Sequence, residues 1–237
     1  MDYAEWDRIV SLFTQDFGRL KGIAKGAKRS QKRFGSALEP FTHVVVDFVD
    51  REHHGLTRLE RCRIIHSVPE IAQDIRKVAL GNYFLELVHT LTPEREKNPE
   101  VFSLLLHFID LINQETFREE LMRIFELKLF TLLGYQPQFL SCVVCGSSFD
   151  LKENYKFSIK QGGIVCSRCQ GRHAGLLPLS RGTIRIFQQA QNLSLLKLNR
   201  IFFSRTEHEE GKVIFGKFLE YHIGKRPKSL DILDQLT

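Results

Sequence analysis

The 237-residue sequence predicts an α+β protein: a small N-terminal β-barrel, then an α-helical region interrupted by a four-cysteine segment. Three observations carry this reading. Short β-branched and aromatic runs broken by glycine fill the start of the chain, apolar residues recur at helical spacing from Pro69 onward, and four of the five cysteines form two close pairs. The boundaries that follow are 1–67 for the barrel, 68–139 for the first helical part, 140–175 for the cysteine module and 176–237 for the second helical part. With 43% of its residues hydrophobic, the chain can bury a sizeable core, which excludes disorder and collagen.

Within the first part the clearest strand is Val44–Val49. His53, His54 and Gly55 supply a turn, and Leu56, Leu59, Cys62, Ile64 and Ile65 are the apolar members of a second run. Leu59 and Cys62 fall on opposite sides of a regular strand, which weakens that second assignment. From Pro69 the period changes, with Ile71, Ile75 and Val78 on one helical face. Asn98 followed by Pro99 starts the next helix, and Val101, Leu105, Phe108 and Ile112 form its apolar stripe. Thr116 with Glu119 reads as a capping box for a helix carrying Phe117, Leu121, Ile124 and Phe125 up to Gly134, with Pro137 barring continuation. Ser180 opens a helix with Ile184, Phe187 and Ala190 on one face. Thr206 with Glu209 caps another that carries Ile214, Phe218 and Tyr221 and stops at Gly224. These aromatic stripes read as core.

Charge and cysteine usage bound the function. Lys plus Arg number 34 against 28 Asp plus Glu, giving +6 and a pI near 9.1, which favours polyanionic partners. No apolar run is long enough for a membrane span and the N-terminus lacks the order of a signal peptide, so a cytoplasmic protein without a membrane partner is expected.

Cys142-x-x-Cys145, twenty intervening residues, then Cys166-x-x-Cys169 has the spacing of a four-thiolate zinc site. Two residues between thiols let one tight turn aim both sulfurs at one ion, and Gly146 can take the backbone angle such a knuckle needs. A closed tetrahedron leaves no position for water, so the expected Zn2+ is structural. The alternatives are a redox pair or two disulfides. His173 lies close enough in sequence to compete as a ligand but reads rather as a surface histidine, and Cys62 reads as a small buried hydrophobe.

Between Asp16 and Glu39 no acidic residue occurs, while Arg19, Lys21, Lys25, Lys28, Arg29, Lys32 and Arg33 do. Cations this dense repel one another unless an anion sits among them, and phosphate is the usual solution, so these seven are the candidate nucleic-acid contacts. Phe17, Phe34 and Phe41 flank the run as candidates for stacking on unpaired bases or for core positions. The Gly-x-x-x-x-Gly-Lys-Ser/Thr pattern is absent around Lys21–Ser30, so nucleotide hydrolysis is unsupported. Asp47, Asp50 and Glu52 offer a candidate two-metal nuclease cluster, weighed against acidic residues solvated at a strand end. His53 and His54 point apart on a strand, which speaks against a joint catalytic role. No catalytic residue is assigned.

Several segments occur together in an ordered set: Asp7–Val10, Phe13-Thr14, Gly18–Leu20, Ala24–Ala27, Leu38–Phe41, Tyr83–Leu87, Asn98–Phe102, Phe125–Leu127, Gly134–Pro137 and the cysteine quartet. In this set the chain resembles the bacterial RecO recombination-mediator family over essentially its whole length. The resemblance implies an N-terminal OB-fold, a helical C-terminal domain with an inserted zinc module, and no enzymatic activity. It further implies a cytoplasmic, nucleoid-associated protein that binds single- and double-stranded DNA and anneals complementary strands. With RecR and the single-stranded-DNA-binding protein SSB, such a protein helps RecA load. The family has a further strand before the segment matching Glu5–Val10, so here the first OB strand is expected to be missing, leaving either an open barrel, another segment over the gap, or a start site assigned too late. The rival reading of the same charge and cysteines is a zinc-containing, sequence-specific nucleic-acid-binding regulator.

Overall fold

The computed structural model describes residues 2–3, 5–50, 56–114 and 116–236. The chain divides into two compact units, Met1–Thr116 and Phe117–Thr237. In the first, strands β1 (Asp2–Tyr3), β2 (Asp7–Thr14), β3 (Gly18–Ala24), β4 (His43–Val49) and β5 (Thr57–His66) form one sheet of order β1-β2-β3-β5-β4. All neighbours are antiparallel except β3 and β5, which run parallel. This is the mixed, partly open five-stranded arrangement of an OB-fold. The first strand exists as two residues, paired with Asp7 and Arg8.

Sequence explains the tight β2–β3 turn. Thr14 Oγ1 donates to the Gly18 carbonyl at 2.9 Å and accepts from the Phe17 N–H at 3.0 Å. Gly18 has φ +60°, and a Cβ there would lie 1.9 Å from the Glu96 carbonyl oxygen, so only glycine fits. β3 then buries Gly18, Leu20, Gly22 and Ala24 and turns Arg19, Lys21 and Ile23 outward.

The β4 strand expected at Val44–Val49 is present, and β5 resolves the problem posed by Leu59 and Cys62. Asp47 opposes Arg61 but Phe48 opposes Leu59, so β5 carries an extra residue at this point. The bulge reverses the inside–outside phase, and Leu59 and Cys62 both enter the core with Ala24, Phe34 and Ala37. The turn expected at His53, His54 and Gly55, like Glu52, lies outside the described residues.

Helix α1 (Ile75–Leu91) follows a 3₁₀ turn, Pro69–Gln73. The expected stripe of Ile71, Ile75 and Val78 is corrected here. Ile71 is buried in the 3₁₀ turn, but Ile75 opens α1 with 62% of its surface exposed, and the buried face is Ala79, Leu80, Tyr83, Phe84, Leu87 and Val88. Asp74 breaks the register by acting as N-cap, its carboxylate accepting from the Arg76 N–H. Helix α2 (Pro99–Gln114) starts as expected, Asn98 Oδ1 accepting from the Val101 N–H at 3.0 Å. It packs on α1 through an edge-on Phe84–Phe108 contact of 5.6 Å.

In the second unit, α3 (Glu120–Leu132) begins without the expected Thr116–Glu119 box: Glu119 is its N-cap residue and no side chain caps it. A three-stranded sheet, β7-β6-β8, is built from β6 (Tyr155–Ser158), β7 (Gly163–Cys166) and β8 (Leu177–Leu179). Then come α4 (Arg181–Asn192), α5 (Arg205–Ile223) and α6 (Lys228–Leu236). Ser180 caps α4 as expected, accepting from the Thr183 N–H. On α5 the cap lies two residues earlier than Thr206: Ser204 and Glu207 form the reciprocal box, and Gly224 ends the helix at φ +74°. Phe139, Phe157, Phe187, Phe215 and Phe218 form the unit's aromatic centre, with ring centroids 5.2 to 6.2 Å apart. No described helix is long and apolar enough to cross a membrane.

Candidate nucleic-acid interface and metal centre

The seven cations named from sequence occupy two places. Arg19 and Lys21 stand on the outer side of β3, while Lys25, Lys28, Arg29, Lys32 and Arg33 belong to the turns that connect β3 to β4. Three of them have protein work. Arg19 donates to the His89 carbonyl at 2.6 Å, lies 3.1 Å from His89 Nε2 and pairs with Glu94 at 3.7 Å. Lys28 pairs with Asp2 at 3.0 Å, and that hydrogen bond holds the Asp2 carboxyl below its usual value. Arg33 donates to the Lys25 carbonyl and to Ser30 Oγ. Counter-charge therefore reaches the run from outside it, which spacing along the chain did not reveal. Burial, then the neighbouring Arg19, pushes the His89 imidazole below its ordinary value.

Lys21, Lys25, Arg29 and Lys32 are exposed and, among the described residues, no carboxylate pairs with any of them. The loop that bears three of these is not a loose arm. Phe34 and Ala37 bury themselves in the barrel core, the Cys62 N–H donates to the Arg33 carbonyl at 2.9 Å, and the Gly26 N–H donates to Asp7 Oδ1 at 2.8 Å. Of the three flanking phenylalanines, Phe34 is core at 2% exposure. Phe41 packs its ring against Gly81 of α1, and only Phe17 is mainly exposed, edge-on to Phe48 at 5.3 Å. Sequence reasoning missed Trp6, whose ring carries the Arg29 guanidinium 3.3 Å from its centroid. A lone tryptophan between charged residues in a turn was the available signal.

The four paired cysteines converge. Their sulfurs all lie within 4.8 Å of one another, with Cys145 and Cys166 3.7 Å apart. A tetrahedron with metal–sulfur bonds of about 2.3 Å has edges of about 3.8 Å, so the donor set fits one ion with four thiolates. All five cysteines are free thiols, and His173 is not part of the cluster. Gly146, at φ +74°, lets its N–H reach back to the Cys142 carbonyl, and the Cys166 N–H points at Cys142 Sγ at 3.4 Å. β7 holds the second pair against the first through Gly163, where a Cβ would meet Val143 Cγ1 at 2.4 Å. The Ser147 hydroxyl and N–H bring the Cys145 thiol down to about 6, whereas burial and the neighbouring sulfurs push Cys169 up to about 12.

Cys62 is buried and its thiol is pushed up to about 11, first by burial and then by Asp47, as suits a small core residue. Asp50 is held by both guanidinium nitrogens of Arg95, at 2.6 and 2.8 Å, which occupies a carboxylate the nuclease reading needed.

Residues 1–68 match the family description "Recombination protein O N terminal" and residues 72–231 match "Recombination protein O C terminal". Three similar proteins carry the name DNA repair protein RecO. That of Syntrophus aciditrophicus is 34% identical over 238 residues, covering 100% of this chain and 92% of that protein. That of Syntrophotalea carbinolica is 36% identical over 238 residues, covering 100% and 91%. That of Geobacter sulfurreducens is 34% identical over 237 residues, covering 100% and 94%.

Proposed function

The chain belongs to the RecO family of DNA repair and recombination proteins, and from that premise we propose that it mediates recombination by holding single- and double-stranded DNA on its basic barrel loop. The observation that carries this reading is the anchored loop whose Lys25, Arg29 and Lys32 have no carboxylate partner among the described residues. Lys21 extends the same positive surface along β3. Arg19, Lys28 and Arg33 act mainly by shaping it, through His89, Asp2 and the loop carbonyls. Phosphates supply the missing anions, and two strands held on one cationic surface repel each other less, so complementary bases meet and anneal without covalent chemistry. In the cell this activity joins RecR and SSB in helping RecA load. The four thiolates of Cys142, Cys145, Cys166 and Cys169 hold a structural Zn2+ that ties the two turns of the knuckle together.

Lys25→Ala combined with Arg29→Ala tests the surface. The slope of log affinity against log salt should flatten by about 1.4 on single strands, two phosphates at about 0.7 each. An unchanged affinity and slope would remove the loop from the interface. Competition against bulk DNA separates the mediator from a sequence-specific regulator, which would prefer one site by orders of magnitude. Annealing on SSB-coated strands, with and without RecR, tests the partner assignments.

A further inference from the structure

We propose that the stacked pair Trp6–Arg29 is a base-binding platform inside the phosphate-binding loop, and that it sets a preference for unpaired strands. The proposal rests on the nucleic-acid reading above. A guanidinium carbon 3.3 Å from an indole centroid can only lie face to face with the ring, since an edge-on approach needs a much longer separation. The indole thus holds a planar cation flat at the surface. Arg29 is exposed, and among the described residues its guanidinium has no hydrogen-bond or ion-pair partner. Its outer face is open to a base, and its N–H groups remain available to a phosphate of the same nucleotide.

The contrast with Arg33 argues against a purely structural stack. Arg33 sits 5.1 Å from the Phe34 ring, but that ring is core and the guanidinium is already committed to the Lys25 carbonyl and Ser30 Oγ. The turns that carry the Trp6–Arg29 pair are tied down by their own hydrogen bonds, the Arg29 N–H donating to the Gly26 carbonyl at 3.1 Å. The Lys28 N–H donates to the Trp6 carbonyl at 3.1 Å, the Gly26 N–H donates to Asp7 at 2.8 Å, and Lys28 pairs with Asp2. A preformed plane flanked by the unpaired cations Lys25 and Lys32 fits a single strand, because duplex bases present no free face at the surface.

Trp6 is the chain's only tryptophan, so its emission reports on this spot alone. The full-length protein is titrated with oligo(dT) of about 15 nucleotides, with an abasic phosphodiester strand of the same length and with a duplex of that length. Emission should be quenched by oligo(dT) and not by the abasic strand. Trp6→Leu should bind labelled oligo(dT) about tenfold more weakly while keeping its affinity for the abasic strand and the duplex, and Trp6→Phe should recover most of the loss. Quenching that is equal for the two strands, or an unchanged oligo(dT) affinity in Trp6→Leu, overturns the platform while leaving phosphate binding intact. If the unaltered protein binds none of the three, the DNA reading falls and the platform with it. The titration needs no substitution, so it decides the question even where Trp6→Leu loosens the turn.

Discussion

Phe34 ties the cationic loop to the barrel core, and its removal should be costly. The ring is 2% exposed and packs among Ala24, Ala37, Leu59 and Cys62. A phenylalanine buries about 150–250 Å², which at about 25 cal/mol per Å² amounts to about 4–6 kcal/mol. The alanine methyl retains part of that and the cavity adds to it, so Phe34→Ala should lose about 3–5 kcal/mol, a large share of the roughly 5–15 kcal/mol that stabilises a typical domain. Phe34→Leu, which nearly fills the site, should lose about 1 kcal/mol. Urea unfolding followed by Trp6 emission is the suitable assay, because the chain's one tryptophan sits in the first unit. A midpoint shift equivalent to less than about 1 kcal/mol for Phe34→Ala would mean that the loop is not anchored in the core, and the preformed surface would lose its basis.

Two further outcomes test other parts of the structure. Cys166 is fully buried with its sulfur 3.7 Å from that of Cys145, so Cys166→Ser should lose the proposed metal, measured as zinc content of the purified protein, while the Phe139–Phe157–Phe187 packing preserves most of the helical circular dichroism. Retention of stoichiometric zinc would refute the four-thiolate assignment. Asp74→Ala should cost about 1 kcal/mol at neutral pH as α1 loses its cap. Hydrogen bonds from the Arg76 side chain and then its backbone N–H hold the Asp74 carboxyl below its ordinary value of 3.8. Its contribution is therefore complete above that value and disappears as pH falls through the lower folded-state value. The stability difference between the two proteins should close in acid, as followed by denaturant titration at several pH values.

Much of this molecule is legible in its sequence because local chemistry decides it. Each Cys-x-x-Cys pair forms its own turn, Asn98-Pro99 starts α2, and Gly224 ends α5 in the left-handed region, since each of these signals acts within a few residues. Errors arise where neighbouring signals compete or distant partners intervene. Two serine/threonine–glutamate pairs competed to open α5, and Ser204 with Glu207 won over Thr206 with Glu209. Leu59 and Cys62 share a face because of a bulge opposite Asp47 and Phe48, which appears only when β4 is laid beside β5. The cationic run looked uniform, but Asp2, Glu94 and the His89 carbonyl single out Lys28 and Arg19, and these partners come from remote segments. Helix α6 escaped notice because its apolar contribution is small, with Leu230 and Leu233 the large residues it buries.

The parallel joint between β3 and β5 consists of three residue pairs, Gly22–Thr57, Ile23–Arg58 and Ala24–Leu59, and it is what unites two ribbons whose other pairings are antiparallel and close in sequence. Each ribbon can assemble by itself, whereas the joint must wait for chain ends separated by the whole cationic connection to find each other. On loop-closure grounds this seam is expected to close late in folding, and amide exchange at Ile23 and Leu59 measures how far the barrel opens.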